Sequence, residues 1–222
     1  MLKAVLFDMD GVIVDTEPLH KKAYYGMFKT LKLPVTTAQY ESFTGQSTIN
    51  VCKRLCTDFE LLEAPENLVQ IKRRIFKELF ISDASLQLIP GVLDLIQDYH
   101  QNGVTLVLAS SASMQTINSV FDRFQLNPYF KAKLSGADLK ASKPHPEIFI
   151  KAAQASGYAK EQCLVIEDST NGIKAANGAG IFCVAYNSKH SKNQNYDTAN
   201  LVINDFSSIS YKRAKNLLAA QY

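Results

Sequence analysis

The feature that most constrains the fold of this chain is a stretch near its N-terminus, KAVLFDMDGVIVDT. Its first apolar run, Ala4 to Phe7 followed by Met9, predicts a buried parallel strand. Asp8 and Asp10 lie two positions apart, so at the strand end both side chains can point to the same side. Gly11 then allows a sharp turn. Two carboxylates in such a place are unstable unless a cation neutralises them. The spacing alone is equally typical of a strand followed by an Asp-rich turn, so further residues are needed to decide.

Apolar runs of strand length recur along the chain and alternate with amphipathic helices. The runs VTLVL (104–108), CLVI (163–166) and IFCVA (181–185) predict buried strands, and shorter strands are expected at 133–135 and 201–203. A chain in which strands and helices alternate forms a parallel sheet covered by helices. We therefore predict an α/β fold, a doubly wound parallel sheet with a Rossmann-like core.

The segment between the first strand and Leu88 has no further strand pattern and predicts helices only. Apolar periodicity and capping residues indicate helices that begin at Glu17, after Thr36 or Thr37, after Ser47 and at Pro65. We predict a small all-helical cap domain at residues 15–82, inserted after the first strand of an α/β catalytic core of residues 1–14 and 83–222. Insertions at this place in α/β enzymes commonly act as lids.

The last predicted helix of the insertion, from Pro65 to about Phe80, carries an apolar face and a basic cluster. Residues at helical spacing predict its buried face, namely Leu68, Ile71, Ile75 and Leu79. The cluster Lys72, Arg73 and Arg74 is expected on a solvated face.

Composition bounds the class of protein. The 222 residues are 46% hydrophobic and 20% charged, which is typical of a soluble globular enzyme. The net charge of +3 is too small to indicate nucleic-acid binding, and no apolar run approaches the roughly 20 residues that span a bilayer. The N-terminus lacks the pattern of a signal peptide. We therefore expect a cytoplasmic monomer with no nucleic-acid or membrane partner.

The four cysteines are interpreted as small core residues of a protein in a reducing compartment. Cys52 and Cys56 lie four apart on a predicted helix, and no further His or Cys ligand pattern accompanies them. Cys163 and Cys183 belong to predicted buried strands. A zinc site is therefore not expected.

Polar residues that a buried strand does not otherwise tolerate stand at the ends of three predicted strands. The first strand ends in the two aspartates, the second in Ser110, and a later one in Glu167 and Asp168. Lys143 lies on the loop before a helix expected at Pro146. The carboxyl ends of parallel strands lie along one edge of the sheet. We therefore expect four carboxylates, one hydroxyl and one lysine in a single crevice.

Each of these residues has an ordinary structural explanation when it is taken alone. Ser110 is typical of a turn, Lys143 of a protein surface, and an acidic pair before Ser169 of a helix start. To explain the cluster without a function, every one of these explanations must hold at the same edge of the sheet. This requirement favours a functional site.

An acidic cluster with a single lysine suits a hard divalent cation. Mg²⁺ binds carboxylates, waters and substrate phosphate oxygens. Phosphoryl transfer needs neutralisation of charge by a metal and a lysine, a donor for a phosphate oxygen, and an in-line nucleophile. A carboxylate can be that nucleophile, and a second carboxylic acid can protonate the leaving oxygen and then deprotonate the attacking water. The cluster therefore suits a metal-assisted phosphoryl-transfer site, in which an aspartyl-phosphate is one available intermediate.

Four motifs, in order along essentially the whole chain, resemble those of the haloacid dehalogenase-like phosphohydrolase superfamily. DMDGV (8–12) resembles its first motif, Ser110 its second, KP (143–144) its third and EDS (167–169) its fourth. The helical insertion resembles the small cap domain of the family. The segment DTEPLH (15–20) is similar to the β-phosphoglucomutase-like branch of sugar-phosphate phosphatases and mutases.

The resemblance implies a role for each matching residue. Asp8 would be the nucleophile and Asp10 the general acid and base. The phosphoryl group would be bound by Ser110, Ser111 and Lys143. The Mg²⁺ ligands would be Asp8, the carbonyl of Asp10, and Asp168, with Glu167 as a further acid at or beside the ion. The cap residues that face the substrate or position Asp10 would be Thr16, His20, Thr44, Gly45 and Ser47.

The chain departs from the β-phosphoglucomutases in the cap loop. In those enzymes a Lys directly precedes the loop glycine and an Arg lies three residues after it, and both help to bind the second phosphate of the bisphosphate intermediate. The corresponding residues here are Thr44 and Thr48. The loss of two cations weakens the hold on such an intermediate. Lys72, Arg73 or Arg74 would bind the second phosphate in place of these two cations only if its side chain reaches the crevice.

These features predict a Mg²⁺-dependent phosphatase of small phosphorylated metabolites, with sugar phosphates as the favoured class. The alternative is a β-phosphoglucomutase that interconverts β-glucose 1-phosphate and glucose 6-phosphate, kept open by His20, which the mutases share. The intact acids Asp8, Asp10 and Asp168 disfavour a non-catalytic binding module, and Asp10 with Gly11 disfavours a haloacid dehalogenase. The sequence does not identify the substrate.

Overall fold

A computed structural model describes residues 1–43, 46–188 and 193–221, and it divides the chain into two compact units. One unit comprises Met1–Asp15 and Gln87–Tyr222, and the other comprises Thr16–Leu86. Among the described residues, the first unit contains a six-stranded sheet with helices, and the second contains helices without strands.

The described strands of the first unit form one sheet. They are β1 (Ala4–Phe7), β2 (Thr105–Ser110), β3 (Phe130–Ser135), β4 (Cys163–Glu167), β5 (Phe182–Tyr186) and β6 (Leu201–Ile203). All neighbours pair in parallel, in the order β3-β2-β1-β4-β5-β6. This is the order of a doubly wound, Rossmann-like sheet, so the predicted fold class is confirmed. The strand order reverses beside β1, which is where such sheets bind ligands.

The described residues also form nine α-helices. They are α1 (Glu17–Thr30), α2 (Thr37–Glu41), α3 (Thr48–Asp58), α4 (Pro65–Ser82), α5 (Val92–Gln101), α6 (Met114–Arg123), α7 (Glu147–Ser156), α8 (Thr170–Ala179) and α9 (Tyr211–Gln221). The first four belong to the helical unit and the other five to the sheet unit. None of the helices in the described part of the chain combines the length and the apolar character that crossing a bilayer requires.

Strand β3 begins at Phe130, earlier than the expected start at residue 133. Its sequence FKAKLS alternates apolar residues with lysines, and among the described strands β3 lies at the edge of the sheet, beside β2. Charged residues on an edge strand discourage pairing with other chains. Continuous apolar runs mark strands that are buried on both faces, and the alternating sequence of β3 has no such run. The apolar pattern therefore does not predict the full length of this strand.

Helix α4 buries a different stripe from the one that the sequence predicts. The buried residues are Leu68, Val69, Lys72, Phe76 and Phe80. The predicted residues Ile71, Ile75 and Leu79 are only half-buried. The observed stripe also has helical spacing, but a lysine interrupts its apolar pattern.

The prediction that Lys72 is solvated is wrong. Its ammonium group lies 2.8 Å from Nδ1 of His20 and 4.9 Å from the ring centroid of Tyr24, all within the helical unit. The aromatic face and the imidazole compensate the buried charge, and the aliphatic stem of the lysine packs like an apolar side chain. Arg73 and Arg74 are exposed, in agreement with the prediction.

The sheet unit is held by apolar packing on both faces and by one long-range buried hydrogen bond. Ile148 and Phe149 of α7 and Ile173 of α8 pack with the strands in one cluster. Tyr99 of α5 is fully buried, and its hydroxyl donates to the carbonyl of Ile209, 2.6 Å away, just before α9. This bond ties the C-terminal segment to the core. All four cysteines are free thiols, three of them buried.

Replacing Tyr99 by Phe should lower the free energy of unfolding by about 1–2 kcal/mol, because the buried carbonyl of Ile209 loses its donor. Urea unfolding monitored by circular dichroism measures the change. Tyr158→Phe, at a tyrosine that is 37% exposed, is the matched control and should change stability little. Equal losses in the two variants would contradict this account.

Candidate active site

The candidate site lies at the carboxyl edge of the sheet, beside β1. Asp8 directly follows this strand, and its backbone N–H donates to the carbonyl of Ile166 on β4, 3.0 Å away. Phe7, the last residue of β1, is in register with Leu108 of β2 and Ile166 of β4, so the three strands end within two residues of one another. This pairing brings Asp8 alongside Glu167, the last residue of β4.

Lys143 joins these strand ends. Its Nζ lies 2.5 Å from Oδ1 of Asp8, 2.6 Å from Oε1 of Glu167 and 3.0 Å from the carbonyl oxygen of Ala109. The same ammonium lies 4.9 Å from the ring centroid of Phe149. The side chains of Lys143, Asp8 and Glu167 are 6%, 9% and 1% exposed, so solvent does not screen these charges.

Three buried carboxylates form a group that fits a metal ion. Among the described residues, Asp8, Glu167 and Asp168 each offer an oxygen, and these oxygens lie within 4.8 Å of one another. One ammonium group can neutralise only one of the three carboxyl groups when all are ionised. A hard divalent cation that prefers oxygen ligands fits this donor set. Asp10, the fourth predicted acid, lies two residues from Asp8 and is partly exposed.

The carboxylate of Glu167 is held from both sides. Oε1 contacts Lys143, and Oε2 accepts hydrogen bonds from the backbone N–H of Asp168 (2.8 Å) and from both the N–H (2.8 Å) and the hydroxyl (3.0 Å) of Ser169. Ser169 is the N-cap of α8. Both oxygens of Glu167 therefore have partners, and this carboxylate is fixed against Lys143.

Gly11 allows Asp168 to approach the loop after β1. The backbone of Gly11 has φ +83°, which L side chains rarely adopt, and a Cβ atom there would overlap the carboxylate of Asp168. The turn expected at this glycine therefore has a second function, since it leaves space for an acidic group of the site.

The predicted phosphate-binding serines differ in environment. Ser110 ends β2, is fully buried, and its hydroxyl accepts a hydrogen bond from the N–H of Ala112 at 3.1 Å. The neighbouring Ser111 is exposed. The structure thus places Ser110 at the end of β2, Asp8 directly after β1 and Glu167 at the end of β4, with the loop residue Lys143 between Asp8 and Glu167.

Burial and charge shift the ionisation of the central pair. Burial raises the pKa of Asp8, and the charges of Glu167 and Asp10 raise it further, against the lowering effect of Lys143, so that it reaches about 8. Burial alone would lower the pKa of Lys143, but Asp8 and Glu167 outweigh it and hold that pKa above its usual value. The lysine therefore stays charged, and the site carries more acid than one cation balances.

The predicted cap residues belong to the helical unit where they are described. Thr16 is buried, and His20 stacks on Phe76 with ring centroids 4.4 Å apart besides contacting Lys72. Ser47 is the N-cap of α3, where its hydroxyl accepts from the N–H of Asn50 at 3.4 Å. The predicted residues Thr44 and Gly45 lie outside the described part of the chain.

Several contacts of Lys143 and of His20 are absent from the expectations drawn from the sequence. The carbonyl of Ala109 and the ring of Phe149 carry no polar motif, so no signal marks them as partners of Lys143. The pairing of His20 with Lys72 did leave a signal, because Lys72 lies four residues from both Leu68 and Phe76 in one stripe of α4.

Comparison with known proteins identifies the family of this chain. The family model described as haloacid dehalogenase-like hydrolase matches residues 5–186, and the chain therefore belongs to this family of enzymes. A phosphorylated carbohydrates phosphatase from Thermotoga maritima is 31% identical over 184 residues, covering 81% of this chain and 82% of that protein. Hexitol phosphatase B from Escherichia coli O157:H7 is 26% identical, with 97% and 96% covered.

The fold also matches solved structures. The crystal structure of a β-phosphoglucomutase from Clostridium difficile has a TM-score of 0.84 and 26% identity, covering all of this chain and 99% of its own. The resemblance inferred from the motifs is thus confirmed at the level of family and fold.

Replacing Lys143 by Met should lower the free energy of unfolding by about 3–5 kcal/mol in metal-free buffer, because it leaves a buried acidic cluster without its cation. Chemical denaturation measures the loss. Lys151→Met is the matched control: Lys151 pairs with Glu147 at 2.8 Å but is 45% exposed, so the expected loss is below about 1 kcal/mol. Similar losses in both variants would show that the pairing of Lys143 contributes little.

Proposed function

We propose that this protein is a Mg²⁺-dependent phosphatase of small phosphorylated carbohydrates that acts through an aspartyl-phosphate on Asp8. The observation that carries the proposal is the buried ammonium of Lys143 between Asp8 and Glu167, beside Asp168. A lysine held among acids supplies charge neutralisation for a phosphoryl group next to a carboxylate nucleophile.

In the proposed reaction, a carboxylate oxygen of Asp8 attacks phosphorus and the ester oxygen of the substrate leaves. Asp10 donates a proton to that oxygen, so the alcohol departs neutral. Lys143 and the hydroxyl of Ser110 bind the oxygens of the transferring group. Asp10, now a carboxylate, removes a proton from water, which attacks phosphorus, releases inorganic phosphate and regenerates Asp8.

The metal would be held by Asp8, Asp168 and the backbone carbonyl of Asp10. When bound, Mg²⁺ would neutralise negative charge on the nucleophile and the phosphoryl oxygens. The three buried carboxylates beside one ammonium support this assignment, because they carry an excess of negative charge and only oxygen donors.

The proposed substrate class follows from the relatives. Two of them are phosphatases named for phosphorylated carbohydrates and for hexitol, and both cover most of this chain. We propose that the helical unit selects among such substrates, with Thr16, His20, Thr44, Gly45 and Ser47 as candidate selecting residues. The hydroxyl groups of the two threonines and the serine, and the imidazole of His20, suit the hydroxyl groups of a carbohydrate.

Asp8→Asn should reduce phosphate release to background, because the amide is not a nucleophile. Asp10→Asn should reduce it by about 10²–10⁴-fold, since proton transfer to and from the reacting oxygens is lost. The measurement is phosphate release from a panel of sugar and sugar-alcohol phosphates with Mg²⁺. Substantial turnover by Asp8→Asn would exclude the proposed mechanism.

The response of stability to Mg²⁺ should depend on pH. Folding raises the pKa of Asp8 from 3.8 to about 8, so the metal-free fold holds a proton that the unfolded chain releases, and its stability falls as pH rises through this range. Mg²⁺ requires the deprotonated carboxylate, so its stabilising effect should grow between about pH 6 and about pH 8.5. At saturation we expect about 3 kcal/mol, or a melting temperature higher by roughly 5–10 °C.

Asp8→Asn is the control for this pH dependence, because its amide does not titrate. The variant should be more stable than the parent in metal-free buffer at the higher pH and should respond weakly to Mg²⁺. An equal response to Mg²⁺ at both pH values, or in the parent and the variant, would contradict the assignment of Asp8 as a metal ligand.

A β-phosphoglucomutase is the second candidate. It is favoured by His20, which the mutases share, and by the likeness to the mutase from Clostridium difficile over the full chain. It is disfavoured by Thr44 and Thr48, where the mutases carry cations. Incubation with β-glucose 1-phosphate and catalytic bisphosphate, followed by phosphorus NMR, separates the two. Our proposal predicts free phosphate, and fast formation of glucose 6-phosphate with little free phosphate would overturn it.

A further inference from the structure

Gly172 occupies a position where the helix itself does not favour glycine. It lies in the first turn of α8 and is buried, and its backbone does not adopt the left-handed conformation that requires glycine. Glycine within a helix is less stable than alanine by about 0.5–1 kcal/mol. Another constraint must therefore account for the missing side chain.

The constraint is the carboxylate of Glu167. A Cβ atom on Gly172 would overlap Oε1, Cδ and Oε2 of Glu167, far inside any real contact distance. The nearest atoms belong to the charged end of the side chain rather than to its stem. The carboxylate of Glu167 therefore occupies the space that any other residue at position 172 would fill.

That carboxylate is also the second partner of Lys143. In this position Oε1 lies 2.6 Å from Nζ of Lys143, and Oε2 accepts a hydrogen bond from the hydroxyl of Ser169, 3.0 Å away. The hydroxyl of Ser169 in turn accepts the N–H of Gly172 at 3.0 Å. A side chain at position 172 would thus push Glu167 away from Ser169 and from the lysine together.

We infer that Gly172 is a positioning residue, which acts on the reaction through Glu167 and Lys143 without touching the substrate. The inference deepens the proposed function and rests on it for its effect on turnover. Its structural part, that Gly172 fixes the environment of Lys143, stands on the contacts alone.

Gly172→Ala should reduce phosphate release by about a hundredfold, because displacement of a positioned group by an ångström has effects of that size. Gly178→Ala, in the same helix, is the matched control. A Cβ atom at Gly178 would lie 3.3 Å from Cβ of Pro146, and its three nearest neighbours are all atoms of that proline rather than of an acid, so activity should stay within about threefold of the parent. Activity of Gly172→Ala within threefold of the parent would overturn the inference.

A double-mutant cycle separates positioning from a general weakening of α8. Glu167→Asp withdraws the carboxylate by one methylene, so an alanine at position 172 no longer meets it. Adding Gly172→Ala to Glu167→Asp should therefore reduce activity by less than about threefold, against about a hundredfold in the parent. The same reduction in both backgrounds would mean that Gly172 does not act through Glu167.

The environment of Lys143 gives a readout that does not need turnover. Acetylation of intact protein, followed by mass spectrometry of its peptides, should label Lys143 slowly in the parent and in Gly178→Ala, and severalfold faster in Gly172→Ala. The exposed Lys151 should be labelled equally in all three. The two claims can fail separately. If the parent shows no phosphatase activity, while its Lys143 is labelled slowly and Gly172→Ala makes that labelling faster, the proposed function is refuted and the positioning is supported. Unchanged labelling of Lys143 would refute the positioning itself.

Discussion

A single buried ammonium group makes the acidic edge of this sheet compatible with a folded protein. Lys143 contacts Asp8 after β1 and Glu167 at the end of β4, both almost wholly removed from solvent. Without it, the carboxylates gathered at the reversal of strand order would repel one another in a medium of low polarity. The same arrangement leaves an excess of acidic groups, which suits a divalent cation, and puts an ammonium group next to Asp8, the proposed nucleophile.

Much of the sheet unit is predictable from the sequence, because two simple rules apply to it. Strands buried on both faces need continuous apolar runs, and parallel strands present their carboxyl ends at one edge. Asp8, Ser110, Glu167 and Asp168 stand directly at or after such runs, so the rules alone bring them together. Lys143 carries no periodic signal; its position on the loop before the helix expected at Pro146 leads us to expect it in the crevice, and the match of KP (143–144) to a family motif agrees with that expectation.

Other features depend on contacts that a pattern does not contain. The edge strand β3 alternates lysines with apolar residues and lacks the expected run. Lys72 is buried because His20 and aromatic rings surround it, and a charge cluster in the sequence suggests the opposite. Gly172 looks like an ordinary small residue until the carboxylate of Glu167 is seen in its place. Substrate choice also depends on side chains rather than on the periodicity that identifies helices.

The central claim is that Asp8 carries the phosphoryl group, and trapping of that group tests it most directly. Asp10→Asn can be mixed with p-nitrophenyl phosphate, whose leaving group needs no proton, so that phosphorylation proceeds while hydrolysis, which needs a base, is slow. Borohydride reduction of the quenched protein converts an aspartyl-phosphate to homoserine. The account predicts homoserine at position 8, dependent on substrate and Mg²⁺. Homoserine at another aspartate, or none at position 8 while nitrophenol is released, would contradict it.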